Sequence, residues 1–169
     1  DNDIRLTTIG NTESLPEEVQ KQLYSGIERT KNNKKMVLNL ALSYSGRWEL
    51  LEAIKEIVNK ADEGKISSED IDEKLISSFL TTKGIPDPDL VIRTSGEFRV
   101  SNFLLWQIAY SEFIITETLW PDFSKFDLYD AIKIFQKRER RFGKVSEQIT
   151  KNEKEEGPEN VQFIPNEIA

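Results

Sequence analysis

Residues 89–123 read DLVIRTSGEFRVSNFLLWQIAYSEFIITETLWPDF. Leu90 to Arg93 is a continuous apolar run closed by a cation, the pattern of a parallel strand buried on both faces. Polar residues just beyond the carboxyl end of such a strand lie where open α/β sheets bind ligands. After the polar turn Thr94–Val100, Ser101 is placed to cap a helix to about Tyr110, and Phe113–Thr116 supplies another short strand. Apolar residues of 103–110 read as core before they read as a ligand pocket.

The same alternation runs outward from this stretch. Ile4–Ile9 predicts a strand ending at Gly10, and Ser14 with Glu17 a capping box before a helix carrying Val19, Leu23 and Ile27. Met36–Leu42 predicts a second strand, followed by a helix with the stripe Trp48, Leu51, Ile54 and Val58 that fades at Gly64. Ser67 or Ser68 predicts the cap of a third helix with Ile71, Leu75 and Phe79 in register, and Gly84–Pro88 a rigid entry to the strand at 90. Asp127 predicts the start of a last helix, with Leu128, Ala131, Ile132 and Phe135 inward, ending near Gly143. Strands alternating with helices imply an α/β fold: a mainly parallel central sheet with helices on both faces. Residues 1–143 are expected to form one domain and 144–169 a charged tail.

Composition narrows the chemistry. Acids outnumber bases 30 to 23, with no basic track, so nucleic acid is not an expected partner. There is no cysteine and no histidine, which excludes disulfides and thiolate chemistry and leaves carboxylates as the main acid, base or metal-ligating groups. A hard cation such as Mg²⁺ suits that inventory. No apolar run approaches the roughly 18 residues of a membrane span, and a soluble protein is expected.

Arg93, Arg99 and Ser101 could together clamp a phosphate through two guanidinium forks, a hydroxyl and the start of a helix, with Gly96 allowing close backbone approach. The alternative leaves Arg93 paired with Glu97 and Ser101 as a cap only. Glu112, just before the fourth strand, offers a carboxylate to the same sheet edge or to solvent. Asp122 after Trp120-Pro121 has the same two readings. Arg47 after the second strand either approaches this level or orients loops, and Arg138, Arg140 and Arg141 form a solvated helix end or a partner-facing cluster.

Together these motifs resemble the cis-prenyltransferases, most closely the bacterial undecaprenyl diphosphate synthases. DLVIRTSGEFRVSNFLLWQIAYSE, LWPDF and LNLALSYSGRWEL are similar to three family signatures, and IGNTESLPEEVQ and RERRFG also agree, across roughly residues 3–143. The resemblance implies condensation of isopentenyl diphosphate onto an allylic diphosphate, usually farnesyl diphosphate, with Mg²⁺, to give a long polyprenyl lipid carrier for cell-wall precursors. It implies that Arg93, Arg99, Val100 and Ser101 hold isopentenyl diphosphate, that Glu112 binds magnesium, and that Glu97 and Asp122 support the site. Arg141 and Gly143 fit a terminal Arg-x-Gly motif that reaches the substrate across a homodimer. A cytoplasmic enzyme, peripheral at the inner face of the membrane where its product is delivered, is expected.

Two departures accompany the match. Phe98 stands where many relatives carry histidine. The family's first two signatures, near MDGNGRWA and STENW, have no counterpart, so the catalytic aspartate is expected to lie outside this chain, a carboxyl-terminal two-thirds inactive alone. The alternative is a catalytically silent partner subunit of a heteromeric synthase.

Overall fold

A computed structural model describes residues 2–138. Eight main elements alternate as expected of an α/β chain: β1 (Ile4–Ile9), α1 (Glu17–Thr30), β2 (Met36–Ala41), α2 (Gly46–Asp62), α3 (Glu73–Phe79), β3 (Leu90–Arg93), β4 (Glu112–Ile115) and α4 (Lys125–Gln136). The chain divides into two compact units, one running to Asp122 and the other starting at Phe123. All four strands run parallel within their pairs. They hydrogen-bond as two ladders, β1 with β2 and β3 with β4, where the sequence predicted one sheet; among the described residues no strand bridges the two.

In the first ladder Ile4 stands opposite Met36 and Ile9 opposite Ala41. A βαβ connection needs its helix to return across the strands, and α1 does so: Thr30 Oγ1 at its last turn accepts from the Leu6 amide at 3.0 Å. At Gly26 a Cβ would stand 3.1 Å from Leu6 Cδ2, so glycine lets helix and strand approach. Entry to α1 differs from the expected Ser14 cap. Pro16 occupies the N-cap, consistent with its fixed φ, and Ser14 lies in a short 3₁₀ turn where its hydroxyl meets Asn11 O and Ser43 Oγ.

The buried face of α2 is also not the predicted stripe. Gly46, Glu49, Ala53 and Ile57 are buried at spacings of three and four, whereas Leu51, Ile54 and Val58 are each more than half exposed. The third helix breaks in two: Ser67 and Asp70 close a capping box on a 3₁₀ turn, then Asp72 caps α3 by accepting from Leu75 N at 2.7 Å. In the second unit α4 starts two residues before Asp127. Ser124 is its N-cap and Asp127 completes the capping box, with Ala131 buried and Leu128 at the surface. The expected end near Gly143 and the tail 144–169 lie outside the described residues. No helix among the described residues is long and apolar enough to cross a membrane.

Candidate functional site

The β3–β4 ladder fixes what meets at its carboxyl end. Its register pairs Leu90 with Glu112 and Arg93 with Ile115. Beyond Arg93 the chain turns through Ser95 and Gly96, both left-handed with φ near 64° and 63°. The turn is tied to the chain leaving β4, since Ser95 N–H donates to Thr118 O and Gly96 N–H to Thr116 O, both at 2.9 Å. A left-handed residue followed by another is easiest where one is glycine. Gly96 is further constrained because a Cβ there would stand 2.7 Å from Glu117 Oε2. Glu117 went unnoticed in the sequence because an acid in a Thr-Glu-Thr run carries no pattern of its own.

Arg93 does not pair with Glu97. Its Nε is buried and has no hydrogen-bond partner among the described residues, a state that costs free energy unless an acceptor arrives. Glu97 instead holds Arg99, which donates Nε at 2.9 Å and Nη2 at 2.8 Å to Glu97 Oε2. That pair sits in solvent, with the Arg99 side chain 77% exposed. One cation of the expected clamp thus stands at the strand end with an orphan donor, and the other is held by a neighbour that an anion can displace.

Residues 101–110 correct the expected helix. They form consecutive turns and not an α-helix, with Ser101, Asn102 and Leu104 at φ of 53°, 61° and 47°. Left-handed L-residues break a right-handed ladder, so Ser101 caps no helix of its own. Side-chain bonds hold this stretch instead. Asn102 O accepts from Gly46 N–H at 2.7 Å and Asn102 Oδ1 from Arg47 N–H at 2.9 Å, so the first amides of α2 are satisfied from across the fold. Trp106 Nε1 donates to Ser77 Oγ at 3.0 Å. Arg47 is placed with its backbone in this junction and its residue exposed, the loop-orienting reading of the two.

Beneath the junction lies Glu49, a carboxylate 2% exposed. Tyr44 Oη donates to its Oε2 at 2.6 Å and Gln107 Nε2 to the same atom at 2.9 Å, while Thr81 donates from its amide at 2.9 Å and from its hydroxyl to Oε1. A buried charge-bearing group needs such complete coordination. Burial first, and then the Glu49 contact, raises the Tyr44 phenol well above its ordinary value, so it stays a donor. Sequence periodicity missed Glu49 because it looks like a polar position beside an apolar stripe; the signal was its phase with Gly46, Ala53 and Ile57.

Glu112 lies elsewhere than expected. It opens β4 opposite Leu90, its amide donating to Asp89 O at 2.9 Å, and three residues of strand, about 10 Å, separate it from the level of Arg93. At that same amino end of the strands a groove of about 780 Å³ runs between α3 and the turns, lined by Lys74, Ser77, Lys83, Trp106 and Tyr110. It does not include Arg93. Among the described residues no three acidic side chains gather as a metal site. Val100 lies half-buried beside Ser101, Phe98 is 81% exposed, and Asp122 ends a 3₁₀ turn at the surface. Arg141 lies outside the described residues.

Comparisons with known proteins extend this geometry. Residues 1–143 match the family model described as "Putative undecaprenyl diphosphate synthase". An isoprenyl transferase of Chlorobaculum tepidum is 54% identical over 155 residues, covering 92% of this chain and 58% of that protein. One of Porphyromonas gingivalis is 52% identical over 152 residues, covering 90% and 60%. Among solved structures, lavandulyl diphosphate synthase from Lavandula x intermedia, in complex with dimethylallyl diphosphate, is similar at a TM-score of 0.83 and 39% identity over 85% of this chain and 62% of that one. A probable undecaprenyl diphosphate synthase from Campylobacter jejuni is similar at a TM-score of 0.73 and 36% identity over 85% and 64%. The chain spans about three-fifths of the length of these relatives.

Proposed function

The chain belongs to the undecaprenyl diphosphate synthase family of cis-prenyltransferases, and on that premise we propose that it carries the isopentenyl diphosphate half of a two-substrate prenyl-transfer site. The observation that carries this reading is Arg93: a guanidinium at the carboxyl end of β3 whose buried Nε lacks a partner among the described residues, next to a left-handed turn. A diphosphate oxygen would satisfy that donor with a charge-assisted bond. Arg99 swings from Glu97 to the same anion, and Val100 and Ser101 line it from the following turn; Asp122 supports the site, and Glu97 supports it only by holding Arg99 until the anion arrives.

In the whole enzyme the allylic diphosphate, farnesyl diphosphate in this reading, loses pyrophosphate as its carbon forms a new bond to the isopentenyl unit, which gives up a proton. The residues of this chain bind and orient the isopentenyl unit so that its double bond faces the allylic carbon. They supply no general base from histidine, and none is required for holding a diphosphate. Mg²⁺ belongs to the proposal only in part: Glu112 would offer it one hard oxygen donor, from the amino end of β4 and about three strand residues away from the level of Arg93. The product is a long-chain polyprenyl diphosphate handed to the cytoplasmic face of the membrane by a peripheral homodimer, with Arg141 reaching the partner's site. Residues 1–143 form the carboxyl-terminal part of the prenyltransferase domain, a span supported by the family match over the same residues.

This reading predicts that the 169-residue chain alone does not elongate farnesyl diphosphate. In a synthase that carries this chain together with the family's amino-terminal signatures, Arg93→Ala raises KM for isopentenyl diphosphate about a hundred-fold, on the scale of about 3 kcal/mol for a charged hydrogen bond, and leaves KM for farnesyl diphosphate within a few-fold. Equal loss for both substrates would overturn the half-site assignment. The silent-subunit alternative has less support, because such a subunit has no need of Arg93, Arg99 and Ser101 together.

A further inference from the structure

The turn that carries Ser101 is held by α2 and not by any ladder of its own. Only scattered bonds, such as Phe103 N to Val100 O and Ile108 N to Leu104 O, run within residues 100–108. Ser101, Asn102 and Leu104 all have positive φ, a backbone state that non-glycine residues keep only where their surroundings impose it.

Those surroundings can be named. Asn102 gives both its carbonyl and its side-chain oxygen to the first two amides of α2, and asparagine tolerates the left-handed state better than most residues. Gly46 leaves no space: a Cβ would stand 2.8 Å from Leu105 Cγ and 3.0 Å from Leu105 N. The Phe103 ring meets Tyr44 edge-on at 5.7 Å. Five residues after Asn102, Gln107 Nε2 bridges Glu49 Oε2 and Thr82 Oγ1 at 2.9 and 2.8 Å, and Gln107 is only 3% exposed. Both ends of the segment 102–107 are thus fastened to one rigid helix, and the backbone of Ser101 has its place set from α2.

We propose that Asn102 and Gln107 are positioning residues for the diphosphate site, fixing Val100 and Ser101 in the turn that follows Arg93 through their bonds to the α2 amides and to Glu49. The proposal rests on the diphosphate reading above. Neither residue touches the anion; each acts through the turn it holds. Loss of either leaves Arg93 in place and lets Ser101 relax to an ordinary right-handed or extended backbone.

The test is calorimetric titration of inorganic pyrophosphate into the 169-residue chain and three variants. Asn102→Gly removes the side-chain acceptor while keeping the left-handed backbone easy, and Gln107→Met removes the amide at near-constant volume. Both are expected to weaken pyrophosphate binding about ten-fold, the loss of one well-placed interaction, with circular dichroism unchanged. Arg93→Ala is expected to abolish binding. Wild-type affinity in both Asn102→Gly and Gln107→Met, with binding lost in Arg93→Ala, overturns the positioning role alone. Absence of binding by the wild-type chain overturns the Arg93 reading and the positioning role with it.

Discussion

Arg99 grips Glu97 through two nitrogens, Nε at 2.9 Å and Nη2 at 2.8 Å from Oε2, at a position open to water. Ion pairs of this exposure contribute at most about 1 kcal/mol, so the pair stores the arginine more than it stabilises the fold. Glu97→Gln is therefore expected to change the stability measured by urea unfolding by less than about 1 kcal/mol. The same substitution releases Arg99 and removes a repelling charge, so pyrophosphate affinity measured by calorimetry is expected to rise a few-fold. In an Arg99→Ala background the rise should shrink to what the charge alone gives.

Glu49 is the opposite case. Truncation to alanine removes the acceptor shared by the half-buried Tyr44 hydroxyl, the Thr81 amide and the buried Gln107 amide, which keeps only Thr82 Oγ1. A loss of about 3 kcal/mol is expected, against about 1–2 kcal/mol for Glu49→Gln, which keeps the shape and part of the acceptor capacity. Denaturant unfolding of both variants checks the order; a harmless Glu49→Ala would contradict the network.

Two glycines separate space from backbone. At Gly46 a Cβ meets the backbone amide of Leu105, which cannot step aside, and Gly46→Ala is expected to cost about 1–3 kcal/mol through overpacking. At Gly64 nothing among the described residues lies within 4 Å, but φ is +70°, so Gly64→Ala is expected to cost about 1 kcal/mol through the left-handed backbone alone. Gly64→Asn should recover much of that loss and Gly46→Asn none, which thermal unfolding distinguishes.

Tyr44 adds a pH dependence. Its folded-state affinity for a proton is raised, by burial and by Glu49, above the ordinary tyrosine value of about 10. Its contribution to stability is therefore complete below about pH 10, where the unfolded chain still holds the proton, and declines as pH rises above that, because only the unfolded state can then ionise. Denaturant unfolding between about pH 9 and 11 should show a steeper fall for the wild type than for Tyr44→Phe. Parallel slopes would exclude the effect.

Much of this was legible in the sequence. The alternation of strands and helices, the arginine at the end of β3 and the glycine after it follow from short-range pattern, and the family resemblance carried the rest of the candidate site. Three things were not legible. The buried face of α2 was misread because Leu51, Ile54 and Val58 make the more apolar stripe, while the fold buries small residues and one satisfied carboxylate on the adjacent face. The segment after Ser101 has the composition of a helix, yet contacts with α2 and Ser77 hold it in left-handed turns, a long-range effect that local propensity does not contain. Glu112 was expected near Arg93 because both flank the same loop; the parallel register puts it at the other end of the ladder.

The central claim is that a diphosphate sits at the carboxyl end of β3 on Arg93 and the turn that follows. The most direct measurement is amide chemical-shift mapping of the ¹⁵N-labelled chain as isopentenyl diphosphate is added. Shifts concentrated at residues 93–102 and 116–118, absent in Arg93→Ala, are the expected result. Shifts confined to the groove around Lys74, Lys83 and Tyr110, or persisting unchanged without the Arg93 guanidinium, would contradict it.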